Sequence, residues 1–226
     1  MADTPPVRHT LRNAALALAG ALLVSITLWM TLPPEAPIAE PSAPAAVDPD
    51  SLPVVAGLGG DFTLPATTGG ELSLASLRGK VVLLNFGFTH CPDVCPMVLT
   101  RMGNALRELE REGADVSRVQ PLFVTFDPER DTLAGLKEYV AFFHPALIGL
   151  RGSVEQTAAL TKQYKVIHLK QDTGSASGYV FRHSDFVYVI DTEGRVRLLV
   201  GSEDPEVAMV AAVKRLLRDA DRKRHG

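Results

Sequence analysis

Cys91 and Cys95 are the residues best placed to do chemistry, in the stretch His90-Cys91-Pro92-Asp93-Val94-Cys95-Pro96. They are the only cysteines in the chain. Two cysteines exclude a disulfide-rich scaffold and a four-cysteine zinc or iron–sulfur site. They leave a single disulfide, a redox pair, or a metal site completed by other residue types. Three intervening residues let both sulfurs lie on one side of a turn or short helix, which suits either a disulfide or a two-thiolate clamp. A purely stapling disulfide gains little here, because closing so short a loop removes little chain entropy.

The elements around the pair explain why it would be reactive. The run from Lys80 to Thr89 is continuously apolar, as in a strand covered on both faces. After the cysteine turn, Val98, Leu99, Met102, Leu106 and Leu109 recur at helical spacing from Pro96 to Arg111, and Gly113 ends the helix. A strand-to-helix junction therefore carries the cysteines. The free N–H groups and positive dipole end of a first helical turn favour thiolate over thiol. Pro96 costs little there, since its missing N–H would be unpaired anyway.

Further along, Pro121–Phe126 reads as a second buried strand. Asp131 is placed to cap a helix over Thr132–Phe143, which closes before Pro145. A short strand at Leu147–Leu150, a helix over Val154–Tyr164 and a Gly/Ser-rich loop at Gly174–Gly178 follow. Phe186–Asp191 and Arg195–Val200 flank Thr192-Glu193-Gly194 as a hairpin, and Asp204–Lys223 forms a closing helix with basic residues at its C-terminal end. Strands alternating with helices, then a hairpin and helix, predict an α/β sandwich with a mixed central sheet.

The chain has 226 residues and a net charge of −3, from 23 basic and 26 acidic residues. Nucleic-acid binding, which needs a positive balance, is not indicated. Ala14–Leu32 is uncharged and spans roughly 28 Å as a helix, close to a bilayer's hydrocarbon thickness. Arg8 and Arg12 precede it, and the next basic residue is Arg78. The positive flank predicts a single-pass anchor with its N-terminus in the cytoplasm and the remainder outside. The run exceeds the apolar region of a cleaved signal peptide, and Pro33-Pro34 stands where cleavage would be prepared. Residues 1–13 are then a cytoplasmic stub and 14–32 the anchor. Residues 33–53, with seven prolines, form a semi-rigid spacer, and 54–226 make one compact domain.

Several stretches together resemble the Sco/SenC family. They are Gly59-Gly-Asp-Phe-Thr-Leu64, Gly79-Lys-Val-Val-Leu-Leu84, Phe86-Gly-Phe-Thr-His-Cys-Pro-Asp-Val-Cys-Pro96, Phe126-Asp-Pro-Glu-Arg-Asp-Thr132 and Phe143-His-Pro145. The resemblance implies a thioredoxin-like fold behind a membrane anchor, and a copper chaperone that assists cytochrome c oxidase assembly. It also implies a third metal ligand, a histidine ahead of a late strand, which falls on His183. One copper ion per chain, Cu(I) or Cu(II), suits two thiolates and an imidazole. Zinc would also accept such a set with an open fourth position. The implied recipient is the dinuclear copper centre of cytochrome c oxidase subunit II or another copper-accepting protein. A periplasmic copper donor or thiol reductase would act upstream. The compartment is the periplasm or the mitochondrial intermembrane space.

Two positions depart from the family pattern. Arg182 stands where an aspartate usually precedes the histidine, and is expected to disfavour protonation of His183. Leu133 replaces a common proline and touches only helix entry. Among other candidates, His90 adjoins Cys91 but is expected to point elsewhere, and His144 and His168 read as helix-end and loop residues. Met97 and Met102 read as packing. Asp127, Glu129, Arg130 and Asp131 read as a cap plus an ion pair at a strand end, with a supporting or docking role as the other reading. The rival function is thiol–disulfide exchange through Cys91 and Cys95. An ordinary thioredoxin-type reductase is disfavoured by the C-x₃-C spacing and by the lack of proline between Tyr179 and Asp191. Phe88, where a peroxiredoxin needs threonine, disfavours peroxidase chemistry. Mobility of Gly174–Gly178 would let His183 approach and withdraw.

Overall fold

The computed structural model describes residues 52–172, 174 and 178–225. The expected anchor at 14–32 and nearly all of the spacer lie outside them. Among the described residues, no helix is long and apolar enough to cross a membrane.

Among the described residues, nine strands and four α-helices follow the order β1 (Thr63–Pro65), β2 (Glu71–Ser73), β3 (Val81–Gly87), α1 (Val94–Arg111), β4 (Val119–Thr125), α2 (Leu133–Phe143), β5 (Ile148–Leu150), α3 (Val154–Gln163), β6 (His168–Asp172), β7 (Tyr179–His183), β8 (Val187–Ile190), β9 (Val196–Val200) and α4 (Glu206–His225). The central sheet has the order β5-β4-β3-β8-β9. β3, β4 and β5 run parallel, whereas β8 pairs antiparallel with β3 and β9 antiparallel with β8. This is the mixed sheet expected from the sequence.

Every residue of β3 is buried, because side chains that alternate across the sheet meet a packed layer on each side. Val81 and Leu83 face a layer built from α1, α2 and α4, including Leu99, Leu136 and Val213. Val82, Leu84 and Phe86 face the other layer, with Leu64, Leu160 and Tyr164. Cys91 and Cys95 belong to this second layer, at its edge.

Two local expectations change. The cap of α2 is Thr132, whose side chain accepts from the Gly135 N–H at 3.1 Å, so Asp131 is released for another partner. Pairs β1–β2 and β6–β7 are separate two-stranded sheets. The second flanks the Gly174–Gly178 stretch on both sides, and places His168, expected in a loop, on a strand directly opposite His183. Its polar sequence, His-Leu-Lys-Gln-Asp in β6, hides the strand because most of it faces solvent. The gating stretch Gly174–Gly178 lies largely outside the described residues.

Candidate metal centre

The turn after β3 is closed by the Cys91 N–H donating to the Phe88 carbonyl at 3.3 Å. α1 begins at Val94, two residues before the expected start. Pro96 sits in its first turn, and the first helical bond runs from the Met97 N–H to the Asp93 carbonyl at 3.2 Å. No side chain caps this end. Instead the Cys95 N–H points at Cys91 Sγ, 3.5 Å away. A sulfur thus occupies the place an N-cap oxygen would take, where free N–H groups favour negative charge.

Gly87 makes room for the other sulfur. A Cβ added there would stand 2.7 Å from Cys95 Sγ and 2.6 Å from the Phe123 ring. Cys95 is 1% exposed and Cys91 9%, so the pair lies just beneath the surface, beside exposed Pro92 and Asp93.

His183 arrives from β7. Its Nε2 lies 3.5 Å from Cys95 Sγ and 3.8 Å from Cys91 Sγ. The three donor atoms fall within 4.8 Å of one another. His183 Nδ1 is 2.9 Å from the Ser184 carbonyl oxygen. A carbonyl only accepts, so Nδ1 carries the proton and Nε2 is turned toward the sulfurs, the arrangement a metal-binding imidazole requires. The ring meets Phe126 and Phe88 edge-on, with centroids at 5.1 and 5.9 Å. Such contacts fix ring orientation with apolar surface.

The two thiols are electrostatically unequal. Hydrogen bonding from the Cys95 thiol lowers the Cys91 pKa to about 4, against a burial effect that raises it; His183 and backbone N–H groups add to the lowering. Cys95 is pushed up, first by its bond to the Cys91 thiolate and then by burial. Burial lowers the His183 pKa, but bonds to Cys91 and Ser184 outweigh it and the net shift is upward. The Arg182 expectation is therefore corrected. Arg182 is exposed, and strand alternation directs it away from the face that carries His183.

Other candidates settle as follows. His90 is outside the donor cluster; its Nδ1 lies 3.1 Å from Thr89 Oγ1 and 3.4 Å from Asp131 Oδ1. His144 is the C-terminal cap of α2. His168 stacks on Phe126 at 5.2 Å and 27°, so it supports the aromatic floor of the site instead of a loop. Met102 is core, but Met97 is 42% exposed and does not pack as expected. The sequence reading missed Phe88 and Phe126 as walls of the site; their interrupted spacing across two separate strand ends carries no periodic signal.

A two-sulfur, one-nitrogen set with an open side fits a soft cation better than a hard one, and its geometry does not separate copper from zinc. The family model for SCO1/SenC matches residues 53–218. The chain belongs to the SCO1/SenC family. It is 44% identical over 135 residues to the mitochondrial SCO2 homolog of Bos taurus, covering 60% of this chain and 50% of that one. This chain spans about half the length of the curated relatives it matches. Among solved structures, Arabidopsis thaliana ScoI with copper bound is 35% identical with a TM-score of 0.66, covering 72% of this chain and 99% of that one. Bradyrhizobium japonicum ScoI with copper bound is 35% identical with a TM-score of 0.64, covering 71% and 99%. The thioredoxin-like architecture and mixed sheet of this SCO1/SenC chain agree with those structures.

Proposed function

We propose that this protein is a membrane-anchored copper metallochaperone that hands its ion to the dinuclear copper centre of cytochrome c oxidase subunit II. The carrying observation is the convergence of Cys91 Sγ, Cys95 Sγ and His183 Nε2 within 4.8 Å. Thiolates suit Cu(I) as well as zinc, and imidazole accommodates either copper oxidation state. Two solved relatives that hold copper support the choice of metal over zinc. The copper ion is cargo. The ligands sit at an edge beside exposed Pro92 and Asp93, so an incoming thiolate or imidazole of the recipient can bind before a donor bond breaks. Transfer then proceeds by ligand exchange with no free ion.

The hydrophobic run Ala14–Leu32 and the proline-rich spacer support a tether that holds this domain on the outer face of a bacterial-type inner membrane, or in the equivalent mitochondrial space. The mitochondrial and rickettsial relatives fit either setting. Loading requires reduced cysteines, because a Cys91–Cys95 disulfide would remove both sulfur ligands.

The unequal thiols favour a second reading. A thiolate at Cys91 beside a protonated Cys95 is the state that attacks a disulfide, so reduction of the recipient's cysteines is the alternative duty. The His183→Ala variant separates the two. A copper carrier loses most of its copper affinity while dithiol exchange with a small disulfide persists. A dedicated reductase supports oxidase assembly in cells with His183→Ala but not with Cys91→Ser.

A further inference from the structure

The hairpin that delivers His183 lies outside the central sheet, and four of the five residues of β6 are exposed. A two-stranded hairpin alone is marginal in water, so side-chain contacts must hold it against the cysteine turn. At the His183 end, the Ser184 N–H donates to the Ile167 carbonyl at 2.9 Å and the Ile167 N–H to Ser184 Oγ at 3.2 Å. At the opposite end stands Tyr179, gripped from the turn between β4 and α2. Its hydroxyl donates to Asp127 Oδ1 at 2.8 Å, and its carbonyl accepts from Arg130 Nη1 at 2.8 Å. The Arg130 guanidinium lies 3.6 Å from the Tyr179 ring centroid and Lys170 Nζ also lies 3.6 Å from it. The Tyr179 ring therefore meets two cations at once. Arg130 Nε completes the grip with Asp127 Oδ2 at 2.5 Å, and Asp127 is 2% exposed.

The same turn also holds the cysteine side. The buried Asp131 carboxylate accepts from the Thr89 N–H at 3.0 Å and from Thr89 Oγ1 at 2.5 Å, two residues before Cys91. Thr125 Oγ1 donates to Asp131 at 2.5 Å and in turn accepts from the Asp127 N–H at 3.0 Å. One seven-residue turn therefore touches both ligand-bearing segments, and its Phe126 also lies edge-on against the His183 ring.

We propose that Arg130 and Tyr179 are positioning residues for the metal centre: their clamp fixes the His183 hairpin against the cysteine turn and so sets the imidazole-to-sulfur separation. The inference rests on the copper-binding reading above. Arg130 does this by its planar fork, which serves Asp127 and the Tyr179 carbonyl together while stacking on the ring; a lysine reproduces only the charge. Tyr179 acts through ring and hydroxyl, four residues from His183.

The test uses the purified full chain, reduced and metal-free, with Arg130→Gln, Arg130→Lys and Tyr179→Phe. Amide hydrogen exchange is measured over residues 179–183, over β3 and over α1. Cu(I) affinity is then measured by competition with a chromogenic chelator, in the wild-type and His183→Ala backgrounds. The expected result is faster exchange in β7 with β3 and α1 unchanged. Cu(I) affinity falls by roughly tenfold or more in Arg130→Gln, the usual range for losing an outer partner of a ligand. Arg130→Lys recovers part of it, and Tyr179→Phe gives a smaller loss with the fold intact. In the His183→Ala background Arg130→Gln adds no further loss. An equal loss in that background, or faster exchange with unchanged affinity, overturns the clamp. A wild-type chain that binds no copper defeats the functional reading instead; unaltered β7 exchange in the metal-free variants defeats the clamp independently.

Discussion

His183 Nε2 and Cys95 Sγ stand 3.5 Å apart although 88 residues separate them in the chain. The approach is produced by two elements that share no strand pairing: α1 brings the sulfur in its first turn, and β7 brings the imidazole at its last residue. Nothing but tertiary packing holds the pair together, so the site can be taken apart one contact at a time.

Removing the sulfur-side space tests this packing. Gly87→Ala drives a methyl into Cys95 Sγ and Phe123, both nearer than 3 Å to its Cβ. Overpacking a tight core costs typically about 1–3 kcal/mol. Denaturant unfolding of the Gly87→Ala variant should show a loss in that range, accompanied by weakened copper binding. Wild-type stability and affinity would mean that Cys95 moves aside freely.

The thiol asymmetry predicts a pH profile. With the Cys91 pKa near 4, alkylation of Cys91 in the metal-free protein should stay nearly constant from neutral pH down to about 5 and fall only as pH approaches 4. An ordinary thiol would lose about tenfold in rate per unit throughout that range. His183→Ala removes one of the bonds that lower this pKa, so the fall should move to higher pH. Mass spectrometry of iodoacetamide-treated samples checks both, with Cys95 reacting far more slowly.

The linkage sign for stability follows from the same group. Its folded pKa is depressed below the ordinary thiol value of 9.0, so the Cys91 contribution is complete above about 9 and is lost as pH falls toward 4. The raised pKa of His183 acts oppositely, contributing below its ordinary 6.5 and fading as pH rises through the folded value. Relative to wild type, Cys91→Ser should therefore lose more stability at pH 8 than at pH 5 in thermal unfolding. A pH-independent difference would show that Cys91 is not held as thiolate.

Asp131 supplies a separate check on the turn before the cysteines. Thr89→Val removes the hydroxyl that donates to its buried carboxylate at 2.5 Å. A hydrogen bond to a charged group is worth about 1.5–3 kcal/mol, and urea unfolding should register a loss of that size. Asp131→Asn should be milder than Asp131→Ala, because the amide oxygen still accepts from the Thr89 N–H.

How far the sequence alone reveals this molecule depends on which physical signal each part carries. β3 and α1 are legible because a run of apolar residues and a 3.6-residue period leave strong patterns, and the cysteines fall at their junction. The helix over Val154–Gln163 is legible too, with its start at the Ser153–Gln156 capping box. β6 and β7 are not, since β6 is polar and mostly exposed and the two strands pair only with each other. His183 emerged from the family resemblance and not from spacing, because the approach of β7 to α1 is a long-range contact. Assigning the α2 cap to Asp131 instead of Thr132 followed from a local rule that tertiary structure overrode: the carboxylate is used by Thr89. Arg130 and Tyr179 meet across 49 residues, a pairing that no local pattern marks.

X-ray absorption at the copper edge, on the full chain loaded with one equivalent of copper under reducing conditions, tests the central claim most directly. The expected result is one tightly held ion whose shell contains two sulfurs and one imidazole nitrogen, with the nitrogen lost in His183→Ala and a sulfur lost in Cys91→Ser. A shell without sulfur, or one unchanged by both substitutions, would contradict it.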